Sequence, residues 1–177
     1  MRKKSIERRR LGIFVSVLCA TVSVSTASSA SEWVSYLEGT WVGTGTGKSG
    51  PDENGQKIKC RFRGMAESES RVSFNGRCAS TRKRGSISMT LIAKPDSSFS
   101  GFANSIFSKK KLSYIGESKN GSISITATQP IVRDEGRFAS RITITQSGAK
   151  GLEFIEELRN LDTGQQFISV STEFQKR

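Results

Sequence analysis

The stretch LEGTWVGTGTG, residues 37–47, combines a Gly-Thr-Trp entry with glycines that alternate with Val and Thr. A repeat of two residues is typical of a β-strand, so this stretch predicts the first strand of the fold. Residues 31–38, which lead into it and overlap its first two positions, predict one or two helical turns that place Trp33, Tyr36 and Leu37 on one face. The chain therefore leads from a short helix directly into a strand.

Short alternating segments recur after this stretch, separated by turns rich in Gly, Ser, Asn, Asp and Lys. In the clearest of them, apolar residues alternate with Ser or Thr, which gives a strand one buried face and one wet face. The pattern predicts ten strands, at residues 39–47, 56–66, 71–80, 85–93, 97–106, 111–117, 121–128, 138–147, 151–160 and 165–175.

The predicted fold class is all-β, a single antiparallel up-and-down barrel of about ten strands with a short N-terminal helical turn. Hairpin links without a long crossover favour a barrel over a sandwich, and closure removes exposed sheet edges. Residues 51–55 and 129–136 are expected to be the longer loops. The least regular segment is 151–160, because Glu153, Glu156 and Glu157 also fit a short helix.

Residues 1–30 predict a cleavable signal peptide, with a basic start, an apolar run and small residues before the cleavage site. Cleavage is expected after Ala30, with Ala27 as the alternative. The apolar run is short and broken by Ser and Thr, so it does not favour a membrane span. The mature domain, residues 31–177, is then exported, with the periplasm as the expected compartment and secretion as the alternative.

Two cysteines remain after the signal, Cys60 and Cys78. An even pair in an exported chain predicts a disulfide. Both lie equally far from a turn near residues 67–70, so they face each other in a regular hairpin that needs no bulge. The same register sets Phe62 opposite Gly76 and Phe74 opposite Gly64.

The lead-in followed by Gly39-Thr40-Trp41 resembles the first strand of lipocalins and their calycin relatives. The longer spacing LxGTWxGxG is similar to that of nitrobindin-type ten-stranded barrels. The resemblance implies that Trp41 plugs the closed end of the barrel beneath the short helix. Nitrobindin-type barrels hold haem through a histidine, and this chain contains none, so that mode of haem binding is excluded and no cofactor is expected.

The absence of histidine also removes the common catalytic triads and a zinc site completed by histidine. Glu153 and Glu157 lie about 13 Å apart along a strand, too far for a glycosidase carboxylate pair. No enzymatic activity and no metal are expected. A hydrolase whose carboxylates converge elsewhere remains a separate hypothesis.

Basic residues form two groups that could meet an anionic partner or could simply be solvated. Loops expected at the open end of the barrel supply a candidate anion-binding rim: Arg82, Lys83, Arg84, Lys109, Lys110 and Lys111. The outer face of the predicted hairpin supplies the second group: Lys57, Lys59, Arg61, Arg63, Arg71 and Arg77.

The function that these features favour is an exported, non-catalytic binding module for a small apolar or amphiphilic ligand, expected to be acidic. Strand parity gives the candidate interior lining: Phe62, Phe74, Met89, Leu91, Phe102, Ile123, Ile125 and Ile142. The alternative is an envelope protein-interaction or inhibitor domain with a filled core. A cavity of a few hundred Å³ inside the barrel is expected of the ligand-binding module and not of the interaction domain. An anionic envelope component is a further possible partner, and nucleic acid is not expected, because no stacking-aromatic motif is present.

Overall fold

The computed structural model describes residues 30–81, 84–104 and 111–177. The predicted signal segment lies outside these residues except for Ala30, where helix α1 (Ala30–Leu37) begins. Within the described ranges, no helix is long and apolar enough to cross a bilayer. The strands are β1 (Gly39–Gly47), β2 (Gln56–Ser68), β3 (Arg71–Ala79), β4 (Arg84–Ala93), β5 (Ser98–Asn104), β6 (Leu112–Lys119), β7 (Ser122–Ala127), β8 (Ile131–Arg133), β9 (Gly136–Ser147), β10 (Gly151–Asn160) and β11 (Gln166–Lys176).

Ten of these strands form a closed antiparallel barrel, which confirms the predicted fold class. Each strand from β1 to β7 pairs with the next, β7 pairs with β9, and β9, β10 and β11 follow in order. The ring closes between β11 and β1, from Trp41 opposite Lys176 to Gly47 opposite Val170. Closure pairs both strands that would otherwise be edges, as expected for a stable all-β domain.

β8 is a three-residue strand where the sequence predicted only a loop. It pairs with the start of β9, beside the end of β7, and buries Ile131 against Phe138. A turn from Arg133 to Gly136, in which Gly136 has a φ of 130°, folds the segment back on itself. Three residues are too few to show a two-residue repeat. Only the turn-forming residues that follow them could have indicated a strand here.

The β2–β3 hairpin has the predicted register. Cys60 lies opposite Cys78 with a Cα–Cα distance of 4.1 Å, and the two form a disulfide, as predicted. The hairpin is not regular at its tip, however, since a register shift between Ala66 and Ser68 leaves Glu67 as an extra residue. This bulge lets the strands meet at a two-residue turn, where Arg71 forms an ion pair of 2.6 Å with Glu67.

Trp41 lies at the barrel end that α1 covers and is fully buried. Its indole Nε1 donates to the Leu37 carbonyl at 3.0 Å, which joins the end of α1 to the start of β1. The Lys176 ammonium lies 5.5 Å from the Trp41 ring centroid and donates to the Tyr36 carbonyl at 3.0 Å. The Tyr36 hydroxyl donates to the Gly151 carbonyl, so the helix is tied to the last strands as well. This is the closed end of the barrel.

Candidate functional site: the barrel interior

A cavity of about 90 Å³ lies inside the barrel. Its walls are almost entirely apolar, and Leu37 of α1 contributes to its lining. Among the aromatic residues around it, Phe62 packs against Phe174 with ring centroids 4.6 Å apart and against Phe74 at 5.4 Å. The cavity is smaller than the few hundred Å³ expected of a carrier from the sequence.

Strand parity placed most of the candidate lining inside the barrel. Leu91, Ile123 and Ile125 are buried in the core but are not among the residues that surround the cavity. The candidates that do surround it are Phe62, Phe74, Met89 and Ile142.

Phe102 is the exception, and its predicted inward position is wrong. Its side chain is 39% exposed on the outer wall, where the Lys111 ammonium lies 4.6 Å from its ring centroid. The inward positions of β5 are Phe99, Gly101 and Ala103, which are all buried. This segment carries a phenylalanine on each face, so hydrophobicity alone does not fix its orientation.

Glu156 is a residue of the candidate site that the sequence did not single out. β10 is a strand throughout, so the helical alternative for this segment is wrong, and Leu152, Glu156 and Leu158 are buried on its inner face. Glu156 is only 3% exposed and contributes to the cavity wall. A carboxyl group in such a place needs hydrogen bonds that replace water.

Two serines supply those hydrogen bonds. Ser140 of β9 donates from Oγ to Glu156 Oε1 at 3.1 Å, and Ser169 of β11 donates to Oε2 at 2.8 Å. The Tyr114 hydroxyl lies 3.3 Å from Ser140 Oγ and extends the network across the barrel. Ser140, Ser169 and Glu156 are all buried, so the network is shielded from bulk water.

A β-bulge in β11 puts Ser169 in this position. Glu156 pairs with Val170 and Glu157 pairs with Ile168, which leaves Ser169 as the extra residue between them. The inward positions therefore change parity along β11, from Phe167 and Ser169 to Thr172 and Phe174. A bulge that re-aims one side chain is a common way to build a site on a sheet.

The electrostatics of the network follow from burial. Burial raises the pKa of Glu156, and this effect exceeds the opposing effects of the two serine hydrogen bonds and of the nearby Arg133 charge. Burial, with a smaller contribution from Glu156, raises the pKa of Tyr114 to about 12. Burial also lowers the pKa of Arg133, and the Glu156 charge opposes that shift. The interior thus favours the neutral carboxyl, which can both donate and accept a hydrogen bond.

Two residues of the cavity lining, Thr172 and Asn104, carry buried polar atoms. Thr172 is 1% exposed, and neither its Oγ1 nor Asn104 Oδ1 has a hydrogen-bond partner within the described ranges. Buried polar atoms in native proteins usually have a partner, which can be a protein group, water or a ligand. Thr172 and Asn104 are therefore exceptions among the residues of the cavity wall.

The end opposite Trp41 opens into a depression of about 1000 Å³, which we call the mouth. Ile58 and Cys78 line both the mouth and the cavity, so the two adjoin. Lys48, Lys57 and Arg84 line the mouth together with the acidic Glu53.

The candidate rim can be placed only in part. Arg84 is exposed at the mouth, while Lys111 is exposed and reaches over the outward Phe102 ring. The rest of the candidate rim, namely Arg82, Lys83, Lys109 and Lys110, lies outside the described residues.

The described ranges contain no group of three or more His, Cys, Asp or Glu side chains that could hold a metal. Glu156 is the only acidic side chain buried in this part of the chain, so the interior offers no second carboxylate for glycosidase chemistry. The interior groups can bind a ligand by packing and hydrogen bonding.

Comparison with known proteins supports the barrel and does not assign a family. No family model matches the chain, and no curated protein matches it. The crystal structure of Rv2717c from M. tuberculosis is similar with a TM-score of 0.59 at 12% identity, covering 84% of this chain and 97% of that one.

Two further structures have lower similarity. EF1p2_mFAP2b bound to DFHBI gives a TM-score of 0.46 at 14% identity, covering 84% of this chain and 100% of that chain. A redesigned beta barrel gives 0.44 at 14% identity, covering 81% and 94%. At these identities, the likeness to Rv2717c concerns the fold alone.

Proposed function

We propose that this protein is an exported, non-catalytic binding module that holds a small amphiphilic ligand in its barrel. The apolar end of the ligand enters the cavity, and its acidic head group stays at the mouth. The observation that carries the proposal is the cavity itself, an apolar space inside a closed barrel that adjoins a mouth lined by three cations. Concave, mostly apolar sites with a few polar groups are the usual form of small-molecule sites.

The size of the cavity restricts the ligand. At about 90 Å³ it is below the volume of about 150 Å³ that admits benzene in an engineered core, so it accepts only a short apolar chain. Met89 is half-buried in the wall, and its flexible thioether can move to lengthen the space. The rest of a longer ligand has room in the mouth.

The charged groups of the barrel interior and of the mouth determine how the ligand is oriented. A ligand carboxylate placed beside Glu156 would be desolvated next to a second carboxyl group, which disfavours ionisation of both. At the mouth, Lys48, Lys57 and Arg84 provide a positive field instead. The acidic head group is therefore expected at the mouth, as the basic loops of the sequence also indicated.

Export and a calycin-like identity belong to the same proposal. The Cys60–Cys78 disulfide supports an oxidising compartment, because structural disulfides persist mainly outside the cytosol. The helix-capped Trp41 at the closed end supports the calycin-like assignment, which rests on the first-strand motif and the barrel.

Titration with hexanoate and with hexanol tests the proposal. Both should bind the mature protein, hexanoate should bind more tightly, and added salt should reduce its advantage because the mouth charges are exposed. Ala103→Leu should block both ligands, since Ala103 is buried at the cavity wall and opposite Met89. Ser100→Leu, at an outward position of the same strand, is the matched control and should bind as the wild type does.

A second function is favoured by the small volume of the cavity. A barrel that is nearly filled would act through its surface, as a protein-interaction or inhibitor domain of the envelope. If neither hexanoate nor hexanol binds, or if Ala103→Leu binds both as well as the Ser100→Leu control does, the interior is not the site and this second function replaces the first.

A further inference from the structure

The outer wall of the barrel carries a row of cations, most of which line neither the cavity nor the mouth. On β2 the outward positions Lys57, Lys59, Arg61 and Arg63 are all exposed. Alternate residues on a strand are about 7 Å apart, so this row is about 20 Å long. The neighbouring strands widen it, because Arg77 lies directly opposite Arg61, and Arg84 lies opposite Ala79, the partner of Lys59. We call these six residues the basic strip.

Within the described part of the chain, no residue of the basic strip belongs to an ion pair. The ion pairs of the described ranges are Arg71–Glu67 and Arg137–Asp162, and neither involves the strip. The nearest acid across the sheet is Glu173, which is separated from Lys59 by Thr44 of β1.

The arrangement of the strip is also unfavourable for folding. Arg61 and Arg77 are directly opposed like charges, which destabilise a sheet. A row of cations that forms no ion pair within the described ranges is complementary to an external anionic surface.

We propose that the basic strip docks this protein on an anionic phospholipid surface. Clusters of four to eight Lys or Arg residues bind anionic leaflets through the surface potential, and six suffice here. The β2 row continues with Met65, an apolar side chain that is 41% exposed and can enter the interfacial region of a bilayer.

A single-stranded nucleic acid fits the strip less well. Proteins that bind such strands stack bases on aromatic side chains, and the described outward positions of β2, β3 and β4 contain none. The lipid surface requires only charge and an exposed apolar group, and both are present.

Docking would also bring the mouth close to the lipid, because Lys57 and Arg84 belong both to the strip and to the mouth lining. This consequence concerns the proposed ligand, but the docking itself does not depend on the interior site. Ligand titration and vesicle binding therefore succeed or fail separately.

Vesicle co-sedimentation tests the docking. The mature protein should bind vesicles of phosphatidylglycerol with phosphatidylcholine, should not bind phosphatidylcholine alone, and should be released by salt. Each lost cation should lower the partition coefficient about fivefold, so Arg61→Gln with Arg77→Gln should lower it about 25-fold. Removing the opposed pair relieves repulsion, so this variant should fold, which thermal unfolding checks.

The control variant, Arg141→Gln with Arg159→Gln, carries the same net charge but changes exposed residues on β9 and β10. It should bind vesicles nearly as the wild type does. If both variants lost vesicle binding equally, net charge alone would explain the binding, and the assignment of the basic strip as the docking surface would be overturned. Tighter binding to a single-stranded oligonucleotide than to the anionic vesicles would overturn the lipid assignment.

Discussion

Replacing Glu156 by Gln tests whether the barrel interior contains a buried, titrating carboxyl group. Glutamine keeps the shape of the side chain and can still bond to the hydroxyls of Ser140 and Ser169, but it does not ionise. Burial raises the pKa of Glu156 above its ordinary value of 4.5. Between 4.5 and the folded-state pKa, the folded wild type therefore keeps a proton that the unfolded chain has released.

This difference in bound protons makes stability depend on pH. In that window, the free energy of unfolding of the wild type falls as pH rises, by up to about 1.4 kcal/mol per pH unit for one proton. Below the window both states are protonated, and above it both are ionised, so the curve is level on either side. The Glu156→Gln variant lacks this slope, and the wild type should lose stability relative to it as pH rises above about 4.5.

Other carboxyl groups change the stability with pH in the opposite direction, but their effect is the same in the wild type and in Glu156→Gln and cancels when the two are compared. Hydrogen bonds to Ser98 lower the pKa of Asp96, and hydrogen bonds to Arg137 lower that of Asp162. Their stabilisation is lost as pH falls, and it is lost equally in the wild type and in the variant.

Urea unfolding from about pH 4 to about pH 9 measures the effect. Fluorescence is a suitable signal because Trp33 and Trp41 are both buried. Glu117→Gln, at an exposed outward position of β6, is the control and should follow the wild type at each pH. A difference between the wild type and Glu156→Gln that stays constant over the whole range would refute the reasoning.

Three further substitutions test the framework around the site. Replacing Cys60 and Cys78 by Ser should lower the free energy of unfolding by about 3 kcal/mol, because the bond closes a loop with a sequence separation of 18, and urea unfolding measures it. Trp41→Phe should cost about 2 to 4 kcal/mol in the same assay, since it removes packing and leaves the Leu37 carbonyl without its indole donor. Thr172→Val should raise stability by about 1 kcal/mol, because it removes a buried hydroxyl that has no partner within the described ranges, and a lower melting temperature would argue against this.

The wall of the barrel could be predicted from the sequence because a two-residue repeat encodes both faces of a strand. The β2–β3 hairpin shows this best, since facing cysteines and the pairing of Phe62 with Gly76 required one register, and that register is present. The bulge at Glu67 was missed because it depends on the geometry of the turn, which the alternation does not report.

The interior site was harder to predict for a related reason. Glu156 occupies an inward position between Phe154 and Leu158, so the alternation did carry a signal. Neighbouring glutamates also fitted a helix, and an acidic residue is normally read as exposed. The bulge that brings Ser169 to the carboxyl group depends on pairing between β10 and β11 and leaves no mark in either segment alone.

Methionine methyl groups report most directly on whether the ligand enters the barrel. Met89 contributes to the cavity wall, whereas Met65 is 41% exposed on the outer wall and serves as an internal control. In NMR spectra of mature protein with labelled methionine methyls, hexanoate should shift the Met89 signal with saturation and leave Met65 unchanged. If Met89 does not move at concentrations that saturate binding, or if only Met65 moves, the ligand binds outside the barrel and the account is contradicted.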